Sequence, residues 1–483
     1  MKRLILVTGN FDVLHPGHIR LLKFARECGD HLVVAVTSDE QMEVKSRVKQ
    51  QHRLEVVNSL ECVDEAFIST TSPEQNILRL KPYAVVKGKE HETQLNQEQS
   101  VLDSYGGKLI FGSGEFETNS EQYSRHSQSL YEHYDFTQAQ RYAQRHNITQ
   151  TALHDILDHI QTLRVAVIGE VIVDEYVHGT AVGISQEDPT IVMTPEKNEL
   201  FLGGAAITAG HIKSLGADEV TLISVLGDDD IQNYVKNNID KYQLKYHLLS
   251  DVSRPTPLKT RYRAGSKTLL RVNKLRQHKI SKQLQDEIYK YIENLVTNID
   301  LLVYSDFNYG ILPQDLVNKI STLCAKYKVT MVADSQTSSQ VGDISRYKNA
   351  KLLTPTEKEV RVALNNSDDG LVVLANKLCE RANPENLVVT LAGEGVFIHI
   401  PDNKNNTWEN DTLPAFNKNA IDPAGAGDCF LATSSLALCV GATPWHAFYL
   451  ANLSSACQVS TLGNSPLEAQ TLRHILDRSM RQQ

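Results

Sequence analysis

Leu4-Ile5-Leu6-Val7-Thr8-Gly9-Asn10-Phe11-Asp12-Val13-Leu14-His15-Pro16-Gly17-His18 passes from a short apolar run into a loop and then into a helical pattern. An unbroken apolar run suits a strand covered on both faces, as in a parallel sheet. Residues 19–28 follow as a predicted helix with Ile19, Leu22 and Ala25 on one face, and His31–Thr37 reads as a second strand. Strand, loop, helix and strand in that order open a doubly wound α/β domain. The alternation continues through predicted helices at 53–60 and 74–79 and predicted strands at 65–69, 83–87 and 108–111.

From about 118 to 163 the texture turns to Gln, Ser, His and Tyr, with an apolar stripe only at Ala152, Leu153, Ile156, Leu157 and Ile160. That stripe has helical spacing, so the stretch reads as a helical, polar connector. The expected division is an α/β domain at 1–130, the connector at 131–163, and a second α/β domain at 164–483 that opens on Arg164-Val165-Ala166-Val167-Ile168. In the second region strand-like runs at 191–193, 220–225, 301–304, 329–333, 387–390 and 395–400 alternate with helical patterns such as 205–215 and 283–296.

A chain of 483 residues is too long for one core, and 41% hydrophobic with 22% charged residues is ordinary for globular domains. A net charge of −9 argues against non-specific nucleic-acid binding. The seven cysteines are scattered without a C-x-x-C, as in a reduced cytosolic protein rather than a disulfide frame or zinc site. The apolar run after Met1-Lys2-Arg3 is shorter than a secretory signal, and no window approaches the ~20 apolar residues of a membrane span. The expectation is a soluble, cytoplasmic protein without nucleic-acid or membrane partners.

Residues 8–18 carry the first candidate site. A glycine lets backbone approach a phosphate closely, and a helix N-terminus supplies unpaired N–H groups and the positive end of a dipole. His15 and His18, held by Pro16 and Gly17, can point at one phosphate; their spacing is not the i, i+4 of a zinc protease. As an isolated pair they also suit the solvent-facing caps of a turn. The whole string resembles the opening segment of the cytidylyltransferase-like branch of the HxGH nucleotidyltransferases. The resemblance implies a Rossmann-like fold and an in-line displacement, in which a sugar phosphate oxygen attacks the α-phosphorus and pyrophosphate leaves. It implies that His15 and His18 stabilise the phosphates and that Lys45 is a mobile cation over them. Thr8, Gly9, Asn10, Phe11, Asp12, Gly17, Asp39, Arg53, Lys87 and Gly88 would line the nucleotide site. Thr118 and Ser120 stand where the family has a Ser/Thr-rich turn on the triphosphate, although Glu117 and Glu121 beside them repel phosphate. Lys45, Arg47 and Arg53, each taken alone, also fit a solvated basic loop.

Asp422-Pro423-Ala424-Gly425-Ala426-Gly427-Asp428, before the helical run Cys429-Phe430-Leu431-Ala432, is the second candidate site. Small residues leading into a helix N-terminus form an anion hole, and an aspartate in the first turn can accept the proton of an attacking hydroxyl. The heptad alone would also serve as a small-residue turn with an N-capping aspartate. Around it stand Gly169-Glu170-Val171-Ile172-Val173-Asp174 at the predicted end of a strand, Gly203-Gly204-Ala205-Ala206, Leu226-Gly227-Asp228-Asp229, and Thr390-Leu391-Ala392-Gly393-Glu394-Gly395. In that order they resemble the ribokinase/PfkB sugar kinases over residues 164–478. The resemblance implies a ribokinase-like α/β domain with a small β lid, Asp428 as general base, and Gly425, Ala426 and Gly427 as the anion hole. Asp174, Gly203 and Gly204 would hold the sugar; Thr390, Gly393 and Gly395 would line the ATP pocket, with Glu359 the acid near the Mg²⁺–phosphate group. Mg²⁺ would arrive with ATP or another nucleoside triphosphate, held by phosphates and water rather than by a protein cage.

Tyr176-Val177-His178-Gly179, Ile184-Ser185-Gln186-Glu187-Asp188-Pro189 and Pro255-Thr256-Pro257-Leu258-Lys259-Thr260-Arg261, with Arg271, narrow the resemblance. They are similar to the kinase half of the bifunctional heptose-7-phosphate kinase/heptose-1-phosphate adenylyltransferases, which also own a transferase half like residues 1–130. Here the halves stand in reversed order. Lys259, Arg261 and Arg271 suit a substrate that already carries a phosphate, and alone they also fit an exposed basic strand. The resemblance implies two consecutive steps: phosphorylation of the anomeric hydroxyl of a heptose 7-phosphate, then nucleotidyl transfer to the sugar 1-phosphate, in a homodimer built through the lid.

Four departures bear on the substrate. Ile207 replaces the family's sugar-contacting Asn, and Tyr309 replaces a Lys; Asp334-Ser335-Gln336 stands for D-P-K, and Thr356-Glu357-Lys358-Glu359 keeps only the acid of N-x-x-E. A second reading is a CTP-dependent transferase fused to a kinase for another sugar or polyol phosphate. A third makes the kinase half a non-catalytic sensing domain, motivated by Ile207, Tyr309 and Gln336 and opposed by the intact loop at Asp428.

Overall fold

Ile5, Leu6 and Val7 are all buried, and their side chains part to opposite faces of one strand. Ile5 and Val7 join Leu22 and Ala25 of the helix Pro16–Glu27, while Leu6 joins Ile77 and Leu102. Burial on both faces is why the strand reads as a continuous apolar run. The computed structural model describes residues 3–12, 14, 16–42, 48–88, 96, 98–112, 134–185, 187–265, 267–337, 342–402, 407–417 and 419–481. They form two compact units, Met1–Glu132 and His133–Gln483.

In the first unit β1 (Leu4–Gly9), β2 (His31–Thr37), β3 (Glu65–Ser69), β4 (Ala84–Gly88) and β5 (Lys108–Gly112) make a parallel sheet in the order β3-β2-β1-β4-β5. The order reverses between β1 and β4, and the crevice outside the carboxyl ends at such a switch point is where open α/β sheets bind ligands. This is the Rossmann-like domain expected from the sequence.

The second unit contains β6 (Arg164–Gly169), β7 (Val171–Ile184), β8 (Ile191–Gly204), β9 (Glu219–Leu226), β10 (Lys245–Ser250), β11 (Leu258–Ala264), β12 (Lys267–Lys274), β13 (Leu301–Asp306), β14 (Thr330–Ser335), β15 (Leu352–Leu353), β16 (Leu387–Thr390), β17 (Val396–Asp402) and β18 (Thr407–Leu413). Nine of them form a sheet in the order β10-β9-β6-β13-β14-β15-β16-β17-β18, parallel except that β17 runs antiparallel to both of its neighbours. A four-stranded sheet, β12-β11-β7-β8, is the lid.

Two expectations change here. Gly169 closes β6 and Val171 opens β7, so Asp174 stands on a lid strand rather than at the end of the first strand. The apolar run at 191–193 is only the start of the 14-residue β8, which continues through the exposed, mostly polar residues 194–198 before Leu200, Phe201 and Leu202 bring it back towards the core.

The stretch read as a connector holds two helices, Phe136–Arg145 and Gln150–His159, that pack within the second unit. Tyr142 is buried with its ring 6.4 Å from that of Tyr449, and Leu153 and Leu157 are buried too. Arg473 pairs with Asp158 and His154 with Asp477, each at 2.6 Å. All seven cysteines are free thiols. Among the described residues no helix is long and apolar enough to cross a membrane.

Candidate functional site

In the second unit the helix Ala426–Cys439 is preceded by Gly425 at φ 78°, a left-handed conformation that L side chains rarely adopt. A Cβ there would also lie 2.1 Å from Asn464 Oδ1. The loop is anchored by Asp422, whose carboxylate accepts from the Tyr176 hydroxyl (2.8 Å) and from the N–H groups of Gly463 and Ala424 (3.1 Å each). This sets the first turn of the helix, and with it Asp428, at a cavity of about 720 Å³.

Asp428 is buried, with the Thr208 hydroxyl 3.1 Å from its Oδ1. Burial pushes its pKa up to about 7, opposed by the Thr208 hydrogen bond; Asp174 adds to the rise and Lys259 reduces it. A carboxylate poised near neutral pH at a helix N-terminus has what a general base needs.

The lid supplies the opposite charge. Lys259 and Asp174 are register partners on β11 and β7, and Arg261 and Arg271 are register partners on β11 and β12. Arg261 pairs with Asp174 at 2.5 Å and stacks 5.1 Å from the Tyr176 ring. Lys259 lies 4.8 Å from the Phe307 ring and 5.7 Å from that of Tyr309, and burial lowers its pKa. Gly203 packs so close to Asp174 that a Cβ would fall 2.6 Å from Oδ2.

Loop 307–311 below Lys259 is shaped by Glu170, a fully buried carboxylate accepting from the N–H groups of Phe307 (2.8 Å), Tyr309 (3.1 Å) and Ile311 (3.2 Å). Burial, with the Asp306 charge nearby, raises its pKa.

At the far side of the cavity Thr390, Gly393 and Gly395 form the β16–β17 turn beside Ala415, Phe416 and Asn417. Asp334 and Glu359 also line it; burial raises the pKa of both, and Glu359 adds to the rise at Asp334. Glu359 accepts from the N–H groups of Thr337 (3.0 Å) and Thr356 (2.7 Å), closing a capping box on the helix Glu357–Leu364. Among the described residues no cluster of three or more His, Cys, Asp or Glu could cage a metal.

Every kinase-site residue singled out in the sequence lines this one cavity, except Gly203, which backs Asp174. Ile207 is fully buried and lies outside the lining, so the replaced Asn removes no group from the present wall. Tyr309 is buried under Lys259. The sequence reading missed Thr208, Phe307 and Asn464. Thr208 had a usable signal, since it sits one helical turn beyond Gly204; Phe307 and Asn464 reach the site only through the fold.

In the first unit Thr8 and Gly9 end β1, Lys87 and Gly88 end the adjacent β4, and Gly17 and His18 lie in the first turn of the helix Pro16–Glu27. Phe11 is buried among Ile5, Val7 and Leu22, with its ring 5.3 Å from that of His18, so its role is in the core. Arg53 corrects the expectation of a nucleotide ligand: its side chain is wholly buried and donates to Asn10 O, to Val48 O at 3.0 Å and to Asp39 Oδ1 at 2.5 Å. Asp39 is spent likewise, its Oδ2 accepting from the N–H of Gln50 at 3.1 Å. The pair braces the loop after β1 rather than facing a phosphate. Lys87 Nζ is held by Asn96 (2.9 Å) and Glu98 (2.8 Å). His15, Lys45, Thr118 and Ser120 lie outside the described residues.

Comparison with known proteins bears on both units. Residues 162–470 match the pfkB family carbohydrate kinase profile, and residues 6–141 match the cytidylyltransferase-like profile. Similar curated proteins include the bifunctional protein HldE of Syntrophotalea carbinolica, 28% identical over 331 residues (68% of this chain, 66% of that one). That of Campylobacter curvus is 30% identical over 308 residues, 63% of each chain. These matches fall on the kinase half, and the chain spans no more than about two thirds of the length of these relatives. Ribokinase from Thermotoga maritima superposes with a TM-score of 0.51 at 20% identity, covering 65% of this chain and 99% of that one. Phosphofructokinase-2 from Escherichia coli gives 0.53 at 14%, covering 66% and 100%. At these identities the superpositions establish the fold. With its cytidylyltransferase-like unit ahead of a ribokinase-like one, the chain belongs to the pfkB family of carbohydrate kinases.

Proposed function

We propose that the protein is a bifunctional cytoplasmic enzyme of nucleotide-sugar synthesis. The observation that carries the kinase half is Asp428, buried at a helix N-terminus in the same cavity as Lys259, Arg261 and Arg271. The acceptor is a sugar phosphate, in the leading reading a heptose 7-phosphate. Its phosphate lies against the lid cations and its anomeric hydroxyl faces Asp428. The carboxylate takes the hydroxyl proton as the oxygen attacks the γ-phosphorus of ATP, and ADP leaves. Backbone N–H groups of Gly425, Ala426 and Gly427 hold the transferring oxygens.

Asp334 and Glu359, two buried acids with raised pKa values, fit a nearby cation. Mg²⁺ bound to the ATP phosphates would supply charge neutralisation there, with these two carboxylates facing its water shell.

The transferase half would then use the sugar 1-phosphate as nucleophile and release pyrophosphate, with His15, His18 and Lys45 on the phosphates and an ADP-heptose-type product. The cytidylyltransferase-like match favours a second reading in which CTP is the donor and the acceptor is another sugar or polyol phosphate. A homodimer through the lid is supported by Val182, Ile184, Ile191, Leu270 and Val272, large apolar residues left exposed on that sheet.

The test is to incubate the protein with Mg²⁺, ATP or CTP, and a panel of heptose 7-phosphate, sugar 1-phosphates and glycerol 3-phosphate, resolving ADP from pyrophosphate. ADP from a sugar phosphate and pyrophosphate from a sugar 1-phosphate are expected. Pyrophosphate alone would overturn the kinase half of the reading.

A further inference from the structure

Residues 134–136 precede the first residue matched by the kinase profile, at 162, yet they are bonded to the wall of its cavity. The Asp135 N–H donates to Phe416 O at 2.7 Å, and Tyr134 and Asn417 form a single antiparallel bridge. The Tyr134 hydroxyl lies 3.3 Å from Ala456 O and 3.2 Å from Ser460 Oγ. Asn417 Nδ2 donates to the same two oxygens, at 3.2 and 2.9 Å. Phe416, Asn417 and Ala456 all line the cavity, next to the Gly395 turn: a Cβ on Gly395 would meet the backbone of residues 413–415.

The segment is fixed at its other end as well. After the helix Phe136–Arg145, Arg145 makes two bonds to Asp411 (2.9 and 3.0 Å) and His146 a third (2.6 Å). Asp411 lies on β18, the strand that leads into the wall. Tyr134 and Asn417 share their anchors, so a displacement of the wall displaces the segment.

We propose that residues 134–136 are a working part of the kinase nucleotide site, with Tyr134 and Asp135 as positioning residues for the Phe416–Asn417 wall. This rests on the reading above that the Thr390–Gly395 end of the cavity takes the nucleotide. Nucleotide affinity in the kinase therefore depends on residues outside the kinase family's own span.

Hydrogen exchange on the full chain with ADP as probe, together with steady-state kinetics of Tyr134→Phe, tests it. ADP should slow exchange at 390–395 and 415–428 and, in step, at the Asp135 amide. Tyr134→Phe keeps the ring stacked on Phe136 and loses only the hydroxyl. It should raise KM for ATP about three- to tenfold, the loss of one or two buried hydrogen bonds, with kcat and the acceptor KM unchanged. Ser460→Ala should act in the same direction. Protection at 390–395 without any at 134–136, or an unchanged KM for ATP in a variant whose melting temperature has fallen, overturns the proposal and leaves the segment a structural brace. No protection at 390–395 or 415–428 overturns the nucleotide reading itself, and this proposal with it.

Discussion

Burial leaves the Asp428 carboxyl titrating near 7, where an unperturbed aspartate titrates at about 3.9. Only the carboxylate can accept a proton, so kcat/KM for phosphoryl transfer should climb with pH and level off above about 7. Asp428→Asn should lose at least about 100-fold above pH 7, and the deficit should narrow at lower pH as the parent's own carboxyl is protonated. The shift acts on stability with the opposite sign. Between the two pKa values the native state holds a proton that the unfolded chain has released. The stabilisation this gives is full below about pH 4 and lost as pH rises through about 7. Asn mimics the protonated form, so Asp428→Asn should melt higher than the parent at pH 8 and lose that advantage at pH 4. A variant that melts lower at pH 8 would contradict the burial argument. Asp428 and its glycines were legible because the chemistry is packed into one contiguous heptad. Arg53 was misread for a physical reason: an arginine heading a helix looks the same in sequence whether it meets a phosphate or braces a loop from beneath. Burial decides between them, and burial is a property of the fold.

Glu170, at the β6–β7 junction, takes three N–H groups of loop 307–311. Glu170→Ala would strand the buried N–H groups of Phe307, Tyr309 and Ile311, at a cost of about 3 kcal/mol or more. The expected result is a lower denaturant midpoint at unchanged slope, with the acceptor KM raised because Phe307 and Tyr309 support Lys259. An unchanged midpoint would mean that Arg254, on Tyr309 O, and the Asn308 contacts to Ser335 and Gln336 hold the loop without Glu170. Elements differed in how well they could be read. Parallel strands such as β2 and β13 are covered on both faces and announce themselves as apolar runs. The lid strands are open along much of their length, so residues 194–198 of β8 and most of β12 are exposed, largely polar residues that resemble loop. The cations of the lid were visible; the strands that carry them were not.

With two compact units, calorimetry should resolve two transitions. Leu6→Ala should lower one and Leu302→Ala the other, each by about 2–5 kcal/mol, since both side chains are fully buried in different cores. One transition moved by both substitutions would mean that the units melt together. The order of the two units was legible from their motifs. What was not legible is that the helices of 136–159 belong with the second unit, because they turn a polar and charged face outward and bury only a narrow stripe. Polar side chains beside that stripe tie the helices to residues 473–481: Gln140 donates to Arg481 O, Gln150 and His154 hold Asp477, and Arg473 holds Asp158. During synthesis these helices leave the ribosome long before the surface that covers them. At about 5–20 residues per second, the wait is roughly 15–60 s. For that interval Tyr142, Leu153 and Leu157 stay uncovered and are bait for chaperones. A chain that stops short of the helix Ala469–Ser479 therefore lacks the partners of Gln140, Gln150, His154 and Asp158.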